Sequence, residues 1–136
     1  MKLSSDLIKS LTTYTANLKS DISIVLQKGF HEKREELVLF LEDVCGVSNK
    51  LIFEESDLGA SQRSPLSFTL FSNGINSGVT FSGIPGGHEF NSFVLAILQL
   101  GGTDLKLDES VKSMISTIHE KLDFEVFISL DCHICP

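Results

Sequence analysis

Leu3, Leu7, Ile8, Leu11, Tyr14 and Leu18 recur at three- and four-residue spacing and predict an amphipathic helix over residues 3–18. The run Asp21-Ile22-Ser23-Ile24-Val25-Leu26-Gln27 is short, β-branched and almost continuously apolar, the pattern of a strand buried on both faces. Lys28-Gly29-Phe30 breaks it. A second helix opens in His31-Glu32-Lys33-Arg34-Glu35-Glu36, with Leu37, Phe40, Leu41 and Val44 facing inward and Gly46 at the C-cap. Its opening charge run reads as a solvated helix face. Lys50-Leu51-Ile52-Phe53-Glu54 is a second strand, and the polar stretch from Glu55 to Ser64 a surface loop. After Pro65, Leu66, Phe68 and Leu70 alternate with polar residues and predict a third strand. Turn chemistry from Asn73-Gly74 to Ser77-Gly78 leads to a short antiparallel partner at Val79–Ser82. Phe90, Phe93, Val94, Ile97 and Leu98 mark a third helix stopped by Gly101-Gly102. A fourth is predicted from an Asp108 N-cap to Lys121, with Val111, Met114, Ile115, Ile118 and Leu122 aligned. Phe124 to Leu130 is a last strand-like run.

This order predicts an α/β fold. The strand–helix–strand crossover implies a parallel pair, and the later hairpin an antiparallel one. The result is a four-stranded mixed sheet with helices on both faces, a thioredoxin-like arrangement. The pattern is complete by residue 102. Residues 1–102 are thus read as one thioredoxin-like fold without a cysteine motif, and residues 103–122 as a connecting helix. Residues 123–136 are read as the first strand and Cys-x-x-Cys of a second, incomplete thioredoxin-like fold.

Composition narrows the function classes. With 42% hydrophobic residues among 136, the chain has enough apolar material for a real core. A net charge of −7 without a Lys/Arg cluster argues against nucleic acid or an anionic membrane as partner. No apolar run approaches the roughly 20 residues of a membrane span. The start, Met1-Lys2-Leu3-Ser4-Ser5-Asp6, has no signal-peptide core, which points to the cytoplasm. In that compartment the three cysteines are not expected to form structural disulfides. Cys45, beside the apolar stripe of its helix, reads as a small buried core residue.

The candidate chemistry lies in Cys132-His133-Ile134-Cys135-Pro136. Two cysteines two residues apart, after a strand and before a helix-compatible proline, have the layout of a dithiol redox centre. Such a centre needs one thiolate to attack and a second thiol to resolve the mixed disulfide. Cys132 is the candidate nucleophile and Cys135 the candidate resolving thiol. His133 adds positive character beside them, and Pro136 suits a first helical turn. A zinc site would want two further ligands, and no second Cys-x-x-Cys or His-x-x-x-His is present. No Gly-x-Gly-x-x-Gly fingerprint occurs. His88 reads as a first-turn surface or packing residue, and His31 and His119 have no supporting constellation.

The stretches Pro65–Leu70, Phe81-Ser82-Gly83-Ile84-Pro85-Gly86-Gly87-His88-Glu89-Phe90, Ser92–Leu98, Gly101-Gly102 and Phe124–Pro136 together resemble the N-terminal domain of the flavoprotein component of alkyl hydroperoxide reductase, its F subunit. The resemblance covers nearly the whole chain, in order. It implies two thioredoxin-like folds in tandem, the first without its cysteines and the second carrying the dithiol. Lys28-Gly29-Phe30-His31 stands where the first fold would hold its pair. The resemblance also implies an oxidoreductase function in peroxide detoxification. The dithiol takes electrons from the flavin- and NADH-binding part of the same subunit and passes them to a peroxiredoxin. FAD and NADH are expected in that other part, with no cofactor in this chain. Most of the second fold is absent, so the chain reads as a truncated piece, inactive alone. A non-catalytic scaffold or docking domain is the alternative. Glu89 has two readings: a carboxylate facing the dithiol and assisting proton transfer, as the resemblance implies, or a helix N-terminal residue complementing the dipole. A cis peptide bond before Pro65 is a further expectation from the resemblance.

Overall fold

The computed structural model describes residues 3–59, 62, 64–104 and 106–129. Its elements are α1 (Ser5–Thr15), β1 (Ile22–Gln27), α2 (Arg34–Cys45), β2 (Leu51–Ser56), β3 (Ser67–Ser72), β4 (Ile75–Ser82), α3 (Phe90–Leu100) and α4 (Glu109–Ser116). The strands form one sheet in the order β2-β1-β3-β4. β1 and β2 run parallel, whereas β3 is antiparallel to both β1 and β4. The mixed four-stranded sheet with flanking helices is therefore as the periodicity predicts.

Register explains where the core sits. Ile22, Ile24 and Leu26 of β1 lie opposite Leu51 and Phe53 of β2, and Leu70 and Phe68 of β3. Because side chains alternate across a strand, these residues share one face of the sheet. Phe68 stacks on Phe81 of β4 at 5.6 Å, and Phe93 of α3 meets both rings edge-on at 5.6 and 5.5 Å. Phe40 of α2 contacts Phe90 and Phe93, each at 6.1 Å. Phe40, Phe68 and Phe93 are fully buried. Each such side chain contributes about 1.5–3 kcal/mol relative to exposure. α1 packs against α3, with Leu7, Leu11, Phe90 and Val94 lining a pocket between them, and the Leu3 amide donates to Asp43 of α2 at 3.3 Å.

All three helices that bury residues thus lie on one face. This corrects the expectation of helices on both. The opposite face carries Val25, Ser67, Thr69, Thr80 and Ser82, and the loop after β2 covers part of it. Gln27 donates to Asp57 at 3.0 Å and accepts from the Leu58 amide at 2.6 Å, while Gln62 donates to Thr69 at 3.4 Å. The Gln27 bond and the Gly59 amide lower the pKa of the Asp57 carboxyl. Hydroxyl pairs Ser67–Ser82 and Thr69–Thr80, both 2.7 Å, satisfy the buried polar positions of β3. Apolar periodicity cannot reveal which face a helix covers, because a polar loop is an equally good lid for a sheet face rich in Ser and Thr.

Several boundaries differ from expectation for local reasons. The hairpin turn is the pair Asn73-Gly74, with φ 49° and 81°, so β4 begins at Ile75. Positive φ at both central positions is the two-residue turn matched to strand twist. Asn73 also clamps the hairpin to β1: its amide donates to the Asp21 carbonyl at 2.8 Å, and its side chain accepts from the Asp21 amide at 2.9 Å. Ser77-Gly78, read as turn, is an irregularity in β4 opposite Leu70/Phe71. Gly46 caps α2 in right-handed geometry, φ −68°, instead of the left-handed form. α1 is shorter than the predicted 3–18, and Tyr14 is mostly exposed. The Ser4 hydroxyl caps α1 at the Leu7 amide.

The segment after Gly102 departs most. α4 ends at Ser116 instead of Lys121 and buries no residue. Asp108 has N-cap backbone geometry but makes no side-chain capping bond. Val111, Met114, Ile115, Ile118 and Leu122 are all exposed. The expected strand is not formed over residues 124–129, where Phe124, Val126 and Phe127 are largely exposed. Among the described residues, this run is not one of the four strands of the sheet. Leu130 and the residues from Asp131 to Pro136 lie outside the described residues.

Candidate functional site

The turn between β1 and α2 occupies the position at which a thioredoxin-like fold presents a dithiol. Here it contains Lys28, Gly29, Phe30 and His31. Gly29 has φ 138°, and a Cβ there would fall 2.8 Å from Cγ of Pro65. Only glycine permits both that backbone and that approach. Pro65 is trans, against the expectation of a cis bond. It meets a glycine of the turn where a dithiol would stand, and Arg34 engages its carbonyl.

Arg34 holds this region together. Its Nη1 donates to the Gln27 carbonyl at the end of β1 and, at 2.7 Å, to the Pro65 carbonyl before β3. Its Nη2 donates to Glu55 of β2 at 2.6 Å. The side chain is 14% exposed. One guanidinium therefore joins the ends of three neighbouring strands. Sequence reasoning misses it because a charge run at a helix start resembles a solvated face. The only signal is that arginine, with its planar fork, suits several fixed acceptors better than lysine does.

Glu89 sits at the N-cap of α3 and is 8% exposed. Its Oε1 accepts from the Gly87 amide at 3.1 Å. Its backbone is right-handed, φ −73°, and its side chain makes no capping bond to the helix amides. The loop bearing it is tied to the sheet by the Gly83 amide, which donates to the Leu66 carbonyl at 3.1 Å. Pro85 is buried within that loop. Burial removes Glu89 from the usual solvated surroundings of a helix-end acid. Its carboxylate is held by the neighbouring Gly87 backbone N–H.

Cys132, Cys135, His133 and Pro136 lie outside the described residues, so of the candidate site residues the structure positions only Glu89. Cys45 packs against the core as expected but is only partly buried. Burial, with Glu42 nearby, pushes its thiol up to about 12. A thiol so protonated is a poor nucleophile. His31 Nδ1 accepts from the Lys33 amide at 3.0 Å, a contact within the turn. Among the described residues no group of three or more His, Cys, Asp or Glu is placed to hold a metal ion. Among them, too, no helix is long and apolar enough to cross a membrane.

A carboxylate buried on a Gly-His-Glu-Phe loop, a thioredoxin-like sheet without cysteines at its dithiol position, and a following Cys-x-x-Cys point to one group of proteins. No family model matches the chain. It is 39% identical over 134 residues to the F subunit of alkyl hydroperoxide reductase of Staphylococcus aureus, a match that covers 98% of the chain. It is 37% identical over 134 residues to the F subunit of Pseudomonas aeruginosa. The N-terminal domain of the Enterococcus faecalis reductase superposes with a TM-score of 0.81 at 26% identity, covering 98% of this chain and 69% of that one. The chain corresponds to the N-terminal domain of the alkyl hydroperoxide reductase F subunit. It spans about a quarter of the length of these relatives, 26% for the staphylococcal protein. A Bacillus subtilis protein named NADH dehydrogenase is 35% identical over 136 residues, again 26% of its length. A protein disulfide oxidoreductase from Aeropyrum pernix shares the fold, with a TM-score of 0.62 at 20% identity.

The β1–α2 turn does not have the form of a dinucleotide-binding turn. A βαβ unit would cradle a pyrophosphate at the β1–α2 turn, where glycines let backbone amides approach it. The glycine of that turn, Gly29, instead has the Pro65 ring against it.

Proposed function

We propose that this chain is the N-terminal part of an alkyl hydroperoxide reductase F subunit and serves as its redox-relay module. Cys132 and Cys135 carry electrons from a flavin- and NADH-dependent part outside this chain. The recipient is a peroxiredoxin in the cytoplasm. The observation that carries this reading is the correspondence along 98% of the chain, combined with the Cys-x-x-Cys at residues 132–135.

The Cys132 thiolate attacks one sulfur of the peroxiredoxin disulfide, forming a mixed disulfide and releasing a peroxiredoxin thiolate. That thiolate takes a proton. Cys135 then loses its proton and attacks the Cys132 sulfur, releasing the second peroxiredoxin thiol. Two electrons and two protons move from the dithiol to the partner, and Cys132–Cys135 becomes a disulfide. Glu89 handles a proton at this dithiol. Residues 1–102 supply the carboxylate and a rigid support.

The second reading, a scaffold or docking domain, is favoured for the first fold itself by the Gly29–Pro65 contact and the absence of thiols at residues 28–31. The test is NADH-dependent peroxide turnover by the full-length protein with its peroxiredoxin. C132S and C135S each abolish turnover on the relay reading while NADH-dependent flavin reduction persists. Undiminished turnover in both leaves the scaffold role.

A further inference from the structure

We propose that Gly87 is a positioning residue for Glu89, a role that rests on Glu89 handling a proton at the dithiol. The Gly87 amide is 3.1 Å from Oε1 of Glu89. A Cβ on Gly87 would lie 3.2 Å from Oε2 and 3.5 Å from Oε1 of the same carboxylate. Both the N–H and the missing side chain of Gly87 therefore face one group. Glu89 is 8% exposed, so its carboxylate has little room to retreat from an added methyl.

The backbone itself does not call for glycine at this position. Gly87 is exposed, and its φ lies outside the left-handed region that disfavours alanine. The three heavy atoms nearest to an added methyl all belong to the Glu89 carboxyl group. Alanine there is compatible with the fold but requires the carboxylate to give way by a few tenths of an ångström. The loop is fixed on both sides, by the Gly83–Leu66 bond before it and by the Phe90 amide, which donates to the Gly87 carbonyl at 3.1 Å after it. The step affected is a proton transfer without electron flow: the Glu89 carboxylate accepts the proton of a dithiol thiol, giving a thiolate and a carboxylic acid. A misplacement of about 1 Å in such a group costs roughly a hundredfold in rate, so a shift of a few tenths of an ångström should cost about threefold.

The experiment uses the full-length protein and measures single-turnover reduction of the peroxiredoxin disulfide in G87A, E89Q, E89D and the G87A/E89Q double variant, with thermal unfolding of each. G87A should lower the rate about threefold with an unchanged melting temperature. In the E89Q background it should add nothing. E89D, which keeps the charge but shortens its reach, should fall with G87A. Equal loss from G87A in both backgrounds, or wild-type rate in G87A when E89Q is slow, overturns the proposal. A silent E89Q removes the proton role of Glu89, and with it the catalytic consequence of Gly87. The positioning itself has a separate readout, the Gly87 amide proton resonance. It should move upfield in E89Q as the charge-assisted bond weakens; an unmoved resonance overturns the contact.

Discussion

Arg34→Ala removes the guanidinium that joins β1, β2 and the segment entering β3. Two of its bonds reach backbone carbonyls, of Gln27 and Pro65, from a side chain only 14% exposed. A hydrogen bond from a charged donor contributes about 1.5–3 kcal/mol, and a carbonyl left unpaired under protein costs about 1–3 kcal/mol. The two bonds share Nη1 and are not independent, so roughly 3 kcal/mol is expected for the pair. The third partner, Glu55, is 45% exposed. An ion pair so open to water contributes about 0–1 kcal/mol. The decisive quantity is thus a difference: Arg34→Ala should cost about 3 kcal/mol and Glu55→Ala less than about 1 kcal/mol. Arg34→Lys should fall between them, because an ammonium lacks the fork that reaches all three acceptors. Urea unfolding of each variant at equal m-value measures this directly. Equal, small losses for Arg34→Ala and Glu55→Ala would show that the carbonyl contacts carry no energy and refute the reasoning.

Gly101→Ala places a Cβ 2.2 Å from Leu18 Cδ2 and 3.0 Å from the Ile97 carbonyl; it should cost about 1–3 kcal/mol by overpacking, read as a lower unfolding midpoint. Met114→Ser should change the stability of this chain by less than about 0.5 kcal/mol, since Met114 is 70% exposed; a loss above about 2 kcal/mol would place α4 in the core. Cys45 should resist alkylation at pH 8 in the folded chain and react on unfolding. Its folded pKa lies above the unfolded value near 9, so its contribution is present below pH 9 and lost as pH rises toward about 12. Cys45→Ala should therefore flatten the alkaline part of a stability–pH curve.

The elements whose apolar period is satisfied within residues 3–102 are readable from sequence. β1 is buried on both faces because it is central, and α3 presents Phe93 and Ile97 inward as its spacing requires. α4 and the run from Phe124 to Ser129 have equally good patterns yet stay exposed. Periodicity reports that a face is suited to burial, not that a partner surface is at hand. Arg34 and Gly87 are illegible for another reason. Their roles arise from contacts to a backbone carbonyl and to a carboxylate, and neither leaves a periodic trace. The sequence allows Glu89 to be either a buried carboxylate or a helix-end acid; the structure places it at the helix end and buries it.

The relay reading is tested most directly by trapping its covalent intermediate. The full-length C135S protein, mixed with oxidised peroxiredoxin, should accumulate a disulfide-linked heterodimer that dithiothreitol cleaves. Peptide mass mapping should place the link at Cys132, because the resolving thiol is absent. A parallel experiment with C132S should trap none through residue 132. Absence of any adduct in C135S, together with peroxiredoxin reduction at the wild-type rate, would contradict the account.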